Sequence, residues 1–131
     1  LGCTNSKNVT GTSDLEVAQM RWSRAAISDY EFTQSISCYC TEEYRRPKVI
    51  VVRGGVIESV DDTQFVDNDM SYKTMPDFFD YISQTLNSNP AVSQVLYDNR
   101  YGFPRKIYFD LDERIADDEI EYSLSNFKIL D

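Results

Sequence analysis

Histidine is absent from this chain of 131 residues, and its absence removes whole classes of site. Imidazole is the side chain that most often transfers protons near neutral pH and most often binds transition metals. Ser-His and Cys-His nucleophile pairs and the HExxH zinc motif are therefore excluded. Carboxylates, lysine, tyrosine and hydroxyl groups remain as catalytic candidates, but their spacing marks no catalytic constellation.

Basic residues are few, since 13 lysines and arginines stand against 22 aspartates and glutamates, which gives a net charge of −9. A field of this sign repels phosphate backbones, so nucleic acid is not expected as a partner. Long apolar runs are also lacking. No stretch approaches the roughly 20 residues that a membrane-spanning helix requires, so contact with a membrane is expected to come from another device.

The chain does contain a candidate lipid attachment site at Cys3. Leu1-Gly2-Cys3 resembles the end of a bacterial lipobox, where a signal peptide is cut before a cysteine that carries lipid. Residues 4–12 are polar apart from Val9, as expected of a flexible tether. The alternative is a chance tripeptide. We predict a lipoprotein N-terminus and tether over residues 1–12 and one folded domain over residues 13–131.

The residue after Cys3 bears on location. It is Thr4 rather than aspartate, which by resemblance to Gram-negative lipoproteins favours the outer membrane, with the domain facing the periplasm. A Gram-positive host would place the domain on the outer cell surface instead. Either compartment is oxidising.

Periodicity predicts an α+β domain. Helical spacing follows capping signatures at Ser13 and Thr74, with Trp22 as the core anchor of the first helix. Alternation or β-branched content predicts strands from Tyr30, over residues 48–53 and 56–60, and over residues 92–97, 105–111 and 119–124, with a bulge or a strand end near Ser125 and Asn126. We expect a single antiparallel sheet of about five or six strands with two helices packed on one face.

The chain resembles a family of bacterial lipoproteins that is catalogued only as a domain of unknown function. The matching residues of the first part are Trp22, Tyr30, Phe32, Cys38, Cys40, residues 49–52, Gly54, Gly55, Val56, Thr74, Phe78, Phe79 and Ile82. Those of the second part are Tyr97, Asp98, Gly102, Phe103, Pro104, Ile107, Asp110 and residues 117–119. The resemblance implies a cell-envelope lipoprotein domain, but no reaction, substrate or catalytic residue.

Cys38 and Cys40 are the remaining thiols once Cys3 is assigned to the anchor. Two residues apart on one strand face, their Cα atoms would lie roughly 6.6 Å apart, near the upper limit for a disulfide. A bridge would need a local kink, and its strain would make it reducible, as a redox pair requires. Oxidoreductases, however, use CxxC at a helix start. We expect a structural disulfide or buried thiols, with redox chemistry as the alternative.

The acidic residues Asp110, Asp112 and Glu113 are the candidate metal ligands. Ca²⁺ takes about six to eight oxygen ligands, and this stretch lacks the third acid and the glycine of an EF-hand loop. A solvated acidic face without a cofactor is expected, and calcium binding is the alternative.

Residues 97–104 predict a hairpin loop in which Gly102 supplies a positive φ angle. A rigid turn explains the loop without any ligand. Its side chains could instead form a recognition patch, because tyrosine is a favoured contact residue. The candidate patch consists of Tyr97, Asp98, Tyr101 and Phe103.

Together these features predict a non-enzymatic module that a lipid anchor holds at a membrane and that binds another envelope protein, a peptide or a ligand. The alternative class is an envelope enzyme, either thiol-redox or carboxylate-based. The missing histidine counts against that alternative.

Overall fold

The computed structural model describes residues 12–38, 42–66, 72–114 and 119–131. The helices in these ranges are α1 (Thr12–Ala25), α2 (Glu42–Arg45) and α3 (Met75–Asn87). The strands are β1 (Tyr30–Cys38), β2 (Lys48–Arg53), β3 (Val56–Val60), β4 (Thr63–Gln64), β5 (Val92–Tyr97), β6 (Pro104–Asp110) and β7 (Glu119–Ile129). The predicted combination of two helices with one antiparallel sheet is confirmed. Residues 1–11, with the predicted anchor and most of the tether, lie outside the described residues.

The seven strands form one sheet in the order β4-β3-β2-β1-β7-β6-β5. Two antiparallel meanders, β1 to β4 and β5 to β7, meet where β1 pairs with β7. Each meander follows a helix, α1 in the first half and α3 in the second. The chain therefore uses one arrangement, a helix followed by a meander, twice in succession.

The expected number of about five or six strands is wrong, because β4 adds a seventh. This strand has two residues and pairs with the end of β3. The chain reaches it through Asp61 and Asp62, whose φ angles are 52° and 63°. Two residues are too few to show alternation, so periodicity does not reveal such a strand.

A second short element, α2, lies in the charged segment between β1 and β2. Glu42–Arg45 form the single turn of α2, and the Arg46 N–H donates to the carbonyl of Glu42 at 3.2 Å. One turn carries no detectable helical period. The described ends of this turn are nonetheless exposed, as expected of a loop.

Strand β1 carries the centre of the core. Tyr30, Phe32, Gln34 and Ile36 are buried, whereas the residues between them are not fully buried. This confirms the predicted period of two. The strand lies between β2 and β7, so it has a neighbour on each side.

Helix α1 packs on this strand through Trp22. The indole lies edge-on to the Tyr30 ring with the two centroids 5.2 Å apart, and Leu15 and Ala18 are buried with it. Trp22 is therefore the predicted core anchor. The helix begins at Thr12 rather than after a cap at Ser13, so the predicted start is late by about one residue.

Helix α3 begins at the predicted cap. The Thr74 hydroxyl accepts a hydrogen bond from the Asp77 N–H at 3.3 Å. The Met75 N–H, another donor that a helix start leaves unsatisfied, donates to the Tyr30 hydroxyl at 2.9 Å. Phe78 of the same helix lies edge-on to Phe32, with centroids 6.3 Å apart. Strand β1 thus both packs against α3 and satisfies its first turn.

Strand β7 continues through a bulge. Its pairing with β1 shifts register between Glu31 and Thr33, opposite Asn126, which has a φ angle of 54°. The predicted bulge is confirmed, and beyond it the strand runs on to Ile129. The shift directs Phe127 toward Trp22, with ring centroids 6.0 Å apart.

Candidate functional site

A groove of about 760 Å³ runs between α3 and the hairpin of β2 and β3. Its volume falls within the range of about 300–1,000 Å³ that is usual for ligand sites. Apolar, aromatic and charged side chains all line it. They include Val56, Ile57, Phe65, Tyr72, Lys73, Asp77, Asp80 and Tyr81.

The ammonium group of Lys73 lies among three aromatic rings at this groove. Its Nζ is 5.1 Å from the ring centroid of Tyr81, 5.2 Å from that of Tyr122 and 5.9 Å from that of Phe78. It also donates to the Tyr122 hydroxyl at 3.3 Å. A cation within about 6 Å of a ring centroid is attracted by the negative face of the ring. The protein's own rings therefore hold this charge.

Two tyrosines beside Lys73 stay neutral. Burial raises the pKa of Tyr81, and the proximity of Tyr122 raises it further. Burial also raises the pKa of Tyr122. Because the charged form of a phenol is disfavoured in a desolvated site, both hydroxyls remain protonated well above neutral pH. They can donate or accept hydrogen bonds here, but they are poorly suited to act as bases.

The negative charge of the groove comes from the carboxylates of Asp77 and Asp80. A spacing of three residues puts both on one side of α3, and both are exposed. Neither carboxylate has an ion-pair partner among the described residues. The cap uses the backbone of Asp77 and leaves its carboxylate available. The rim of the groove is therefore negative, whereas Val56 on the opposite wall is apolar and 67% exposed.

The loop between β5 and β6 is the predicted turn. The Asp98 carboxylate accepts from the N–H groups of Arg100 at 3.0 Å and Tyr101 at 2.7 Å. Gly102 has a φ angle of 85°, and a Cβ atom there would overlap the carbonyl oxygen of Ala18 in α1. The turn is thus internally bonded and packed directly on α1.

The four residues of the predicted binding patch have different surroundings. Phe103 is buried and stacked on Phe127 with centroids 4.4 Å apart. Tyr97 stacks on Phe79, and its buried hydroxyl oxygen has no hydrogen-bond partner among the described residues. Asp98 and Tyr101 are half-buried. The recognition role of this patch stays a prediction.

A smaller pocket lies beside three of these residues. It has a volume of about 340 Å³ and is lined by Asp98, Arg100, Tyr101, Phe103, Arg105 and residues 124–127. The bulge of β7 forms one wall and the β5–β6 turn forms the other. The structure therefore brings part of the predicted patch together with two arginines that the sequence did not single out.

The cysteines are described only in part. Cys38 is the last residue of β1, where it is half-buried opposite Ile120. Cys3 and Cys40 lie outside the described residues, so lipidation and the Cys38–Cys40 pairing stay predictions.

The three candidate metal ligands have different surroundings. Asp110 is buried, and no residue that the structure describes forms a hydrogen bond with its Oδ1. Asp112 accepts from the backbone N–H and two guanidinium nitrogens of Arg114 at 2.9–3.0 Å, and these bonds lower the pKa of Asp112. Glu113 is exposed. No group of three ligating side chains suited to a metal occurs within the described ranges. Calcium binding stays a prediction.

Sequence reasoning missed the α3 groove. The only available signal was that Asp77, Asp80 and Tyr81 fall outside the apolar stripe of α3, on a spacing of three and four residues. The opposite wall comes from β3, about 20 residues earlier, and no local pattern connects the two.

Within the part of the chain that the structure describes, no helix is long and apolar enough to cross a membrane.

Comparison with known proteins identifies a family without identifying a reaction. No curated protein matches the chain. No solved structure matches it. One family model matches residues 14–129, which span α1 to the end of β7. The chain therefore belongs to the family of unknown function DUF6174.

Proposed function

We propose that this protein is a lipid-anchored binding module of the bacterial envelope and that the groove along α3 holds a segment of its partner. The partner segment presents a cationic side chain next to apolar ones. The observation that carries the proposal is that the carboxylates of Asp77 and Asp80, which have no ion-pair partner in the described part of the chain, lie beside an apolar and aromatic wall.

Charge and shape both support a lysine or arginine of the partner at this rim. The two carboxylates offer acceptors for an ammonium or guanidinium group. The apolar stem of such a side chain can lie along Val56 and Tyr72, because long basic side chains bury their methylene groups while the charge stays near water. Lys73 does not compete for the carboxylates, since its ammonium group is directed to Tyr122 and the adjacent rings.

The neutral phenols support binding rather than proton transfer. A general base needs a pKa near the working pH, whereas burial moves the pKa values of Tyr81 and Tyr122 away from neutrality. The chain also has no histidine to take over that role.

The anchor part of the proposal rests on Leu1-Gly2-Cys3 and the polar residues behind it. A tether places the groove close to the membrane and raises its effective concentration for envelope partners. By resemblance, Thr4 favours the outer membrane and the periplasm. Mass spectrometry of the protein from its native host is expected to find a lipid on Cys3. An unmodified sulfur would contradict both the proposed anchor and the proposed compartment.

Fluorescence polarisation tests the groove. The probe is a labelled, terminally capped peptide that alternates lysine and leucine, compared with a peptide in which glutamine replaces lysine. The full chain carrying Cys3→Ser is expected to bind only the lysine peptide. In that background, Asp77→Asn with Asp80→Asn is expected to weaken binding by about tenfold, as for loss of charged contacts.

A matched pair of substitutions separates the groove from net charge. Glu16→Gln with Glu113→Gln removes two exposed carboxylates elsewhere and is expected to leave binding unchanged. Equal losses in the two double variants would show that net charge, not the groove, attracts the peptide. Thermal melting of each variant checks that the fold persists.

A further inference from the structure

The pocket beside the β5–β6 turn concentrates positive charge in a chain of net charge −9. Arg100 and Arg105 both line it, and both are exposed. Neither guanidinium has an ion-pair partner among the described residues. Asp98 shares the pocket, but its Oδ2 already accepts from two backbone N–H groups.

Arg100 is held in place before any partner arrives. Its guanidinium carbon lies 5.1 Å from the ring centroid of Tyr101, and that ring is 5.7 Å from the ring of Phe127. The backbone N–H groups of Arg100 and Tyr101 are both fixed by Asp98. A side chain ordered in this way loses less conformational entropy when it binds.

The shape of the pocket limits what it accepts. A volume of about 340 Å³ suits one side chain with its neighbours rather than a large cofactor. Tyr101, Phe103 and Phe127 form an aromatic wall. Ser125 and Asn126 at the bulge are exposed, so they are available to donate hydrogen bonds.

We propose that this pocket binds an aspartate or glutamate side chain of an acidic peptide segment in a partner protein. Two guanidinium groups form strong, directional hydrogen bonds with a carboxylate. The aromatic wall covers the apolar part of that segment. A peptide is favoured over an anionic membrane because a peptide places a single carboxylate in a pocket of about 340 Å³, whereas a lipid surface presents many negative headgroups to a chain of net charge −9. This site shares no lining residue with the α3 groove, so the two proposals can be tested independently.

The test uses the full chain carrying Cys3→Ser and a labelled, terminally capped peptide that alternates glutamate and leucine. In low salt the chain is expected to bind this peptide, and replacement of glutamate by glutamine in the peptide is expected to weaken binding by about tenfold. Arg100→Gln with Arg105→Gln is expected to cause a similar loss. Arg24→Gln with Arg45→Gln, which removes two exposed arginines outside the pocket, is expected to change little.

Each other result overturns the proposal. Equal binding of the glutamate and glutamine peptides, which needs no protein variant, would exclude carboxylate recognition. Equal loss in the two double variants would point to general electrostatic attraction. Sedimentation with phosphatidylglycerol vesicles that depends on Arg100 and Arg105, without binding of the glutamate peptide, would assign the pocket to a membrane instead. Failure of the lysine peptide at the α3 groove leaves these outcomes unchanged.

Discussion

The hydroxyl of Tyr30 joins the first half of the sheet to the helix of the second half. It accepts from the Met75 N–H at 2.9 Å, and both residues are almost completely buried, at 1% and 0% exposure. Tyr30→Phe removes the oxygen and keeps the ring that packs against Trp22. The perturbation is therefore the loss of one buried hydrogen bond at the start of α3.

The expected cost follows from the group that is left behind. A buried donor without a partner costs about 1–3 kcal/mol, because water cannot replace the lost acceptor. Tyr97→Phe is the matched control, since the Tyr97 hydroxyl oxygen is buried without a hydrogen-bond partner in the part of the chain that the structure describes. Its removal is expected to be neutral or to stabilise the fold by up to about 1 kcal/mol.

Urea unfolding followed by tryptophan fluorescence measures both changes. Trp22 is the only tryptophan and is buried in the core, so its emission reports unfolding of the domain. With an unchanged slope, a lower midpoint means lower stability. The reasoning is refuted if Tyr30→Phe is neutral, or if the two substitutions lower the free energy of unfolding equally.

Three further predictions concern the tyrosines, the turn and the cysteines. Burial raises the pKa of Tyr30 from about 10 to about 12. The neutral phenol therefore contributes about 2–3 kcal/mol to the free energy of unfolding below pH 10, and this contribution is lost toward pH 12. Urea midpoints should fall over that interval, and a flat profile would contradict the prediction. Gly102→Ala should cost at least about 3 kcal/mol, because overlap with Ala18 adds to the left-handed backbone cost of about 1–2 kcal/mol. Gly54→Ala, which meets open space at φ 59°, should show only the backbone cost, and equal unfolding midpoints would reject the overlap. A Cys3→Ser chain purified under oxidising conditions should contain no thiol that reacts with Ellman's reagent, and two reactive thiols would rule out the Cys38–Cys40 disulfide.

Elements with a strong local signal were predictable. The bounds of β2 and β5 match the sequence pattern, and α3 starts at its predicted cap because Thr74 and Asp77 form a local hydrogen bond. The bulge at Asn126 was also visible, since the apolar positions change parity there. Each of these signals involves residues close together in sequence.

Features that depend on distant residues were not predictable. The pairing of β1 with β7 joins residues roughly 90 positions apart, and no periodicity encodes a partner at that distance. The α3 groove likewise combines Val56 with Asp80. The aromatic residues around Asp98 carry a local signal, whereas the two arginines share a pocket with them only because the turn and the bulge are adjacent in the fold.

The order of strands has a consequence for how this protein matures. Strand β7 lies in the middle of the sheet next to β1, so β1 keeps an unsatisfied edge until residues 119–129 have been synthesised. Exposed strand edges invite pairing with other chains. A chain shortened before residue 119 would leave two separate open ribbons, each with a bare inner edge. Completion of strand β7 therefore covers both inner edges and protects a newly made chain from pairing through them.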